Sequence, residues 1–407
     1  MSNKNVIMQF KLPAYMIIVL SVTITAFLDE ETMVNWFVVG TISLSPIILL
    51  FYRNVSKEEE KFWFFLFSFL AIIVLFNFAS IRWTTVLFSS AFIVFFIAYT
   101  RVISKDSPRI SFFLSILKVL IIAYWVVLMM QQFCVLLGLP IINVFAYSTD
   151  EPWKLNSLMS EPSHSARVIP ILMYIYVSMK ELLKGPVTLK QSYKHDRLIW
   201  FAFVYSCVTM LSATAYIFMF IVFAKFLNRR TIFQSVLIGC LVGVIILQAG
   251  TNKVLQRTVN ILVATQSMNE DMIIDADGSG AYRIVPFFRG AMAIGFSTKE
   301  DFLGHGIDAD MRDILPLPGT DKGSAGPFVI WYNYGLILQF IYWYITLSVC
   351  YIRKDKISLL VWFLCVFTYG GMNNQIVWLA IVLLYSYKYC LKNKERSLLL
   401  TKNVAIK

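Results

Sequence analysis

Leu198 to Leu227, LIWFAFVYSCVTMLSATAYIFMFIVFAKFL, is the stretch on which the architecture of this chain turns. As one helix it is longer than a bilayer requires, and a single crossing would leave Lys225, Arg229 and Arg230 on the outer side, where basic residues are scarce. A break within Leu211–Tyr216 (LSATAY), with Ser212 and Thr214 at the turn, makes two short helices and returns those charges to the inside.

Working outward, the preceding turn holds Lys180, Lys184, Lys190, Lys194 and Arg197, the densest basic group between apolar segments, and reads as cytoplasmic. Earlier spans are expected at about Leu12–Leu28, Val34–Tyr52, Phe62–Phe78, Trp83–Thr100, Ser111–Gly138 and Pro162–Leu183. Later ones are expected at about Thr231–Gln248, Pro327–Tyr351, Ile357–Tyr369 and Gln375–Tyr389. With the two halves of the broken run, this is an all-α polytopic membrane protein of about twelve transmembrane helices with both termini inside. Arg353, Lys354 and Lys356, and the tail residues Lys388, Lys392, Lys394 and Arg396, fall on the same side without adjustment. The chain then divides into a transmembrane region over 1–250, with an outer break at 140–163, a large outer loop over 251–326 containing short helices, and a second transmembrane region with a cytoplasmic tail over 327–407.

Composition points the same way. The 407 residues are 58% hydrophobic and only 15% charged, with a mean hydropathy of +0.69, which sets the chain apart from soluble proteins. Apolar runs of this length are helices rather than the short alternating strands of a barrel. The formal charge of +12 lies mostly in short turns, where it sets orientation and gives no support for nucleic-acid binding. Cys134, Cys207, Cys240, Cys350, Cys365 and Cys390 lie in or beside apolar segments without metal-ligand spacing, and read as small hydrophobes rather than a disulfide framework. Lys4 and Lys11 precede an apolar run with no small-residue cleavage site before the acidic DEET, so the first span reads as uncleaved.

Any chemistry is expected in the loop over 251–326 and in the shorter break. In Ala281–Phe296, AYRIVPFFRGAMAIGF, Pro286 lies between Arg283 and Arg289 and predicts a helix starting near the proline. Free amides, helix dipole and two guanidinium groups would together suit a phosphate or diphosphate. Lys253, Arg257, Arg283, Arg289, Lys299, Arg312 and Lys322 are positive charges on the side where such charge is normally sparse. The competing account is a solvated loop balanced by Glu270, Asp271, Asp275, Asp277, Glu300 and Asp301. Between Lys253 and Gln266, apolar residues at helical spacing predict a helix lying at the membrane surface or on the loop's own core.

Glu161, His164 and Arg167 are spaced three apart at the start of a helix, so neighbours can touch. They read either as a cap with Arg167 snorkelling outward, or as a carboxylate and imidazole able to deprotonate a hydroxyl beside a cation. His305, between glycines in DFLGHGIDAD, is a surface turn or a further polar contact. The acidic DADG does not fit a calcium loop, since Ile273 and Ile284 fall at ligand positions. Phosphate-loop, dinucleotide and nucleophile-elbow motifs do not occur in the sequence.

The layout resembles that of the bacterial O-antigen polymerases of the Wzy type and, more distantly, the O-antigen ligases. The residues that carry the resemblance are SEPSHSAR (Ser160–Arg167), LSATAY, Tyr282–Asp308, YNYGLILQF (Tyr332–Phe340) and GGMNNQIVW (Gly370–Trp378). The resemblance implies an inner-membrane enzyme that joins undecaprenyl-diphosphate-linked glycan units at the periplasmic face, with membrane lipid around it, a chain-length regulator protein as a possible partner, and neither metal nor cofactor. The family's outer-loop arginines would match Arg283 or Arg289, and less directly Arg167. Arg257 and His305 would be substrate contacts, and Glu161 or His164 the base. The ligases usually carry a histidine just before the span that opens with a Gly-Leu element; here that region reads KGSAGPFVIWYNYGL, which favours polymerase over ligase. A lipid-linked oligosaccharide flippase is the alternative from another class, and the concentration of polar residues outside the spans speaks against it.

This topology is tested by fusing a reporter active only in the periplasm. It is expected to be active at Gly278 and silent at Lys190; the reverse pattern overturns the topology and the mechanism with it.

Overall fold

The structure is a computed structural model that describes residues 35–52, 55–76, 82–143, 152–210, 212–227, 269–276, 278–316 and 323–405, together with 260 and 263–266. The expected spans Leu12–Leu28 and Thr231–Gln248, most of the surface helix over 253–266, and Arg257 lie outside the described residues. Among the described residues the regular structure is helical; an isolated bridge between Ile352 and Asp355 is the extended pairing they contain.

The first half comprises α1 (Trp36–Phe51), α2 (Lys57–Phe76), α3 (Trp83–Asp106), α4 (Ile110–Leu137), α5 (Pro162–Lys184), α6 (Leu189–His195), α7 (Arg197–Thr209) and α8 (Ala213–Ala224). The second half comprises α9 (Glu270–Ala276), α10 (Gly278–Ala293), α11 (Lys299–Leu303), α12 (Ala309–Asp313), a 3-10 turn at Gly326–Phe328, α13 (Val329–Tyr334), α14 (Leu336–Cys350), α15 (Ile357–Trp362) continuing into a π turn at Phe363–Phe367, and α16 (Gln375–Ala405). Local chemistry starts several of them. Asn35 accepts from the Val38 amide at the head of α1, and Thr188 forms a capping box with Gln191 at the head of α6.

At the centre stands α5, buried continuously from Ser165 to Lys180 and packed on α4, α7, α8 and α16. Beside it, Trp378 of α16 is fully buried, stacked on Phe92 at 5.7 Å and met by Phe62 and Phe96. On its outer face α4 exposes Val119, Val126, Met129, Met130, Phe133, Leu136 and Leu137, while Leu120, Ile121, Tyr124 and Leu128 pack inward. A helix apolar on both faces, with one of them uncovered, belongs against an apolar medium rather than water.

Two described helices, α3 and α4, are long and apolar enough to cross a membrane, and the expectation of about twelve spans is not supported. The broken run shows why length matters. Ser212 separates α7 from α8 where LSATAY predicts a break. At about 1.5 Å per residue these helices reach only about 20 Å and 18 Å, short of a hydrocarbon core of about 30 Å. They form a hairpin that returns to the end from which it started. The expected span Pro327–Tyr351 is likewise divided at Gly335. There φ is +91°, and a Cβ would lie 2.1 Å from the Phe302 carbonyl oxygen, so only glycine fits.

The contacts sort the turns to two ends. At one end, Arg101 Nε donates to buried Glu59 at 2.7 Å, Lys392 pairs with Glu58 at 2.9 Å, and Lys61 reaches Ser348 at 3.0 Å. There too Lys225, just past α8, pairs with Asp355 at 2.7 Å and Glu181 at 3.1 Å, beneath the rings of Tyr174 and Tyr387. Lys180 bonds Asp196 and Lys394 bonds the Leu182 carbonyl. The opposite end carries the heads of α1, α5 and α16 and the segments from α9 to α13; Asn35 bonds Gln375 there at 3.2 Å.

Breaking a buried ion pair strands a charge that water cannot reach, at a cost of about 3–5 kcal/mol, whereas an exposed pair contributes below about 1 kcal/mol. Lys225→Ala is therefore expected to lower the thermal midpoint of the detergent-solubilised protein strongly. Lys354→Ala, which breaks an exposed pair with Glu395, is expected to leave it nearly unchanged. Equal shifts would show that Lys225 does not clamp α5, α8 and the turn before α15.

Candidate functional site at the loop end of the bundle

The helix expected to begin at Pro286 begins instead at Gly278, with Pro286 inside it. Arg283 and Arg289 are thus both helical, and neither stands at a helix N-terminus. The physical reason is tertiary: Ala281 and Val285, one turn apart, are buried against Ile273 of α9, which extends α10 upstream despite the bond that proline forfeits. The amide and dipole components of the expected diphosphate site are therefore not at these arginines. The Arg283 side chain lies outside the described residues. Arg289 is engaged within the loop: its Nε and Nη2 donate to Glu270 Oε2 at 3.0 and 2.7 Å, and its Nη1 donates to the Leu315 carbonyl. It ties α9 and the segment after α12 to α10.

The outer loop meets the bundle through backbone. Gly370, just past the π turn, has φ +60°, and a Cβ there would lie 2.4 Å from the Gly326 carbonyl oxygen. Gly326 in turn lies against Pro286 and Phe287 of α10, where a Cβ would meet the Pro286 carbonyl carbon at 3.0 Å. Three chain segments distant in sequence thus stack with no side chain between them.

Next to Gly370 in the chain, Tyr369 faces Arg167 of α5, whose guanidinium carbon lies 4.4 Å from the ring centroid. Arg167 is only 7% exposed, so it turns into the bundle and does not snorkel outward. An aromatic face attracts a cation by its quadrupole, the more so when water is excluded.

Glu161 and His164 lie about two turns and one turn, respectively, before Arg167 on the same helix. Glu161 occupies the N-cap position without capping through its side chain. Its Oε2 accepts from Ser163 Oγ at 3.1 Å and lies 3.9 Å from His164 Nε2, and His164 Nδ1 is 3.2 Å from Ser160 Oγ. The Glu161 side chain is more than half exposed and that of His164 about a quarter, so both are open to solvent. The structure brings these three expected residues together at the head of α5.

His305 takes a different role. Its ring stacks on Tyr332 at 4.3 Å, nearly parallel, and its amide donates to the Tyr332 carbonyl at 2.9 Å, so it fixes the loop on α13. Asp301, at the capping box of α11, accepts from the amides of Thr298, Ser297 and Gly295, which hold its carboxyl below the usual carboxylate range. Asp310 is buried, and burial raises its carboxyl despite a 2.7 Å bond from Asn333 Nδ2. Asp308 accepts from Arg82 at 3.1 Å and Thr85 at 2.9 Å, anchoring the loop to the head of α3. Reading the sequence for charge missed Tyr369 and the separate partners of Asp308 (Arg82 and Thr85) and Asp310 (Asn333); for Tyr369 the available signal was an aromatic residue followed by two glycines before the last apolar run.

Gly370→Ala is expected to cost roughly 1–3 kcal/mol from the left-handed backbone alone, with the carbonyl clash added. It should lower the thermal midpoint and make 251–326 more sensitive to limited proteolysis. Gly40→Ala, where a Cβ meets nothing within 4 Å, is expected to be neutral or slightly stabilising. Normal proteolysis of Gly370→Ala would mean that the stack does not seat the loop.

No protein family, curated protein or solved structure matches this chain, so its function rests on the chemistry of its own residues.

Proposed function

We propose that this chain is a glycan polymerase of the O-antigen polymerase kind. It would join undecaprenyl-diphosphate-linked repeat units at the periplasmic face of the inner membrane, with both termini cytoplasmic. The observation that carries this reading is the head of α5, where a carboxylate–imidazole pair at 3.9 Å stands one turn before a buried guanidinium. Two further features support it. The outer faces of helices such as α4 are apolar, as lipid requires, and the turns rich in Lys and Arg gather at one end while the long loop gathers at the other.

The reaction asks for these groups. A hydroxyl oxygen of the acceptor sugar forms a bond to the anomeric carbon of the donor glycan as the bond from that carbon to the phosphate oxygen breaks. The hydroxyl proton passes to the Glu161 carboxylate, directly or through His164, and the electron pair leaves with the lipid diphosphate. Negative charge grows on that diphosphate, and a cation already in place lowers the barrier where charge develops. Arg167 takes this role. Arg289, engaged by Glu270, positions α10, while Arg283 and Arg257 are the remaining outer-loop cations assigned to the substrate.

Purified protein given one defined lipid-linked repeat unit is expected to make a ladder of products. Product only after lipid A core is added would mean a ligase, and movement of the unit across vesicles without a new bond would mean a flippase. Glu161→Gln and Arg167→Ala are each expected to cost on the order of 10²-fold in rate at normal protein level, with Arg167→Lys intermediate. Lys299→Ala, a cation whose ammonium lies over the Phe76 ring, is expected to be nearly silent.

A further inference from the structure

We infer that the groove between α4 and α7 at the lysine-rich end of the bundle holds one anionic phospholipid, its phosphate between Lys118 and Arg197 and an acyl chain along the uncovered face of α4. The inference rests on the membrane placement of α4 and is independent of the polymerase reading.

Three observations converge. The first is where α4 carries its charge. Lys118 is the one Lys, Arg, Asp or Glu within α4, and it is exposed on the outer face next to Val119. From Val119 to Leu137 the helix covers about 28 Å, close to a hydrocarbon core of about 30 Å, which leaves Lys118 at the headgroup boundary. Helical side chains lean toward the helix N-terminus, so the ammonium reaches away from the apolar layer and toward the headgroups.

The second is what lies beside it. Packed against α4 is α7, the rings of Trp125 and Phe201 meeting in a T shape at 5.8 Å and the Tyr205 hydroxyl donating to Gln132 at 2.6 Å. Both helices start from the lysine-rich end. Counted back from the ring contact toward that end, Lys118 lies two turns away on the same face of α4, about 10 Å along the axis, and Arg197 lies one turn away on the same face of α7, about 6 Å. Arg197 is exposed, as are Leu198 and Phe201. Two cations from two helices therefore flank one groove whose floor is aromatic.

The third is how the cations are paired. At that end Arg101, Lys180, Lys225 and Lys392 each meet a carboxylate, and Asp196, next to Arg197 in the chain, is engaged by Lys180. Among the described residues no carboxylate meets Lys118 or Arg197. Two like charges flanking a groove favour an anion between them, and a phosphodiester at the level of the headgroups supplies one. An anionic lipid presents charge and then hydrocarbon in the order in which the groove presents cations and then apolar surface. A zwitterionic lipid brings its own ammonium and gains less.

The test uses the full chain, purified in a neutral detergent, with dioleoyl phosphatidylglycerol and dioleoyl phosphatidylcholine as probes and retained lipid counted by native mass spectrometry. The native chain is expected to keep one phosphatidylglycerol at concentrations where phosphatidylcholine is lost. Lys118→Gln and Arg197→Gln are each expected to weaken that binding roughly fivefold, and the double variant roughly twenty-fivefold. Lys118→Arg, which keeps the charge, is expected to bind as the native chain does. Lys57→Gln, which removes an exposed lysine of α2 at the same end, is expected to leave binding unchanged. Glycerol 3-phosphate, which offers phosphate without chains, is expected not to displace the lipid. No preference for phosphatidylglycerol, or native-like binding by the double variant, overturns the subsite. An effect of Lys57→Gln equal to that of Lys118→Gln assigns the binding to bulk charge, and displacement by glycerol 3-phosphate assigns it to a soluble anion; each overturns the lipid site. Should Lys118→Gln fail to fold, Arg197→Gln decides alone. Phosphatidylglycerol binding without any glycan ladder leaves the subsite standing and removes the polymerase, whereas a ladder without lipid preference does the reverse.

Discussion

Where Gly370 meets Gly326, and Gly326 meets Pro286, there is room for main chain and nothing else. This contact decides how the outer loop sits on the bundle. At this contact the loop is not laid on the helices through side chains that can repack; it is seated by carbonyl and Cα surfaces whose separation is fixed by van der Waals radii, beside the side-chain anchor that Asp308 makes with Arg82 and Thr85. Close-packed interiors transmit such constraints over short distances. The position of α10, the 3-10 turn at Gly326 and the Tyr369 ring are therefore set together, and Arg167 on α5 is placed relative to all three.

The other end of the bundle is held by different physics. Lys225 joins α8, α5 and the turn before α15 through Glu181 and Asp355, and Arg101 joins α3 to Glu59 of α2 while also donating to the carbonyls of Leu49 and Tyr52 at the close of α1. Buried pairs of this kind add little net stability over apolar packing, but they penalise every arrangement that separates the partners. The short α7–α8 hairpin needs such a clamp, because two helices of that length bury little surface of their own. One end is thus held by charge pairing, and the other combines backbone fit with the pairs Arg289–Glu270 and Arg82–Asp308.

Much of the helical framework was legible in the sequence, because apolar length and helix breaks are local properties. Ser212 breaks the long run as its neighbours imply, and α3 and α4 fall where the apolar stretches lie. The number of spans was not legible, since a hydropathy run does not reveal whether a helix reaches across or turns back. At Pro286 the local rule failed: a proline favours the first helical turn, but Ala281 and Val285 had Ile273 to bury against, a gain that local propensity does not contain. The same limitation hid the partner of Arg289. Glu270 appeared in the sequence only as one of several acidic residues, and nothing local distinguishes a solvated carboxylate from one that grips a guanidinium through two nitrogens.

Three arginines meet different neighbours in this fold. Arg101 rests on Glu59 and Arg289 on Glu270, and in each case a carboxylate offsets the charge that the guanidinium carries. Arg167 rests on a ring. An aromatic face attracts a cation through its quadrupole and, unlike a carboxylate, carries no net charge. Holding a cation in a buried stretch of helix is costly, and Glu161 and His164, the group types that the proton transfer proposed above would use, lie within two turns of it at the head of α5. The ring contact at Arg167 thus differs in kind from the carboxylate contacts at Arg101 and Arg289 that tie one segment to another.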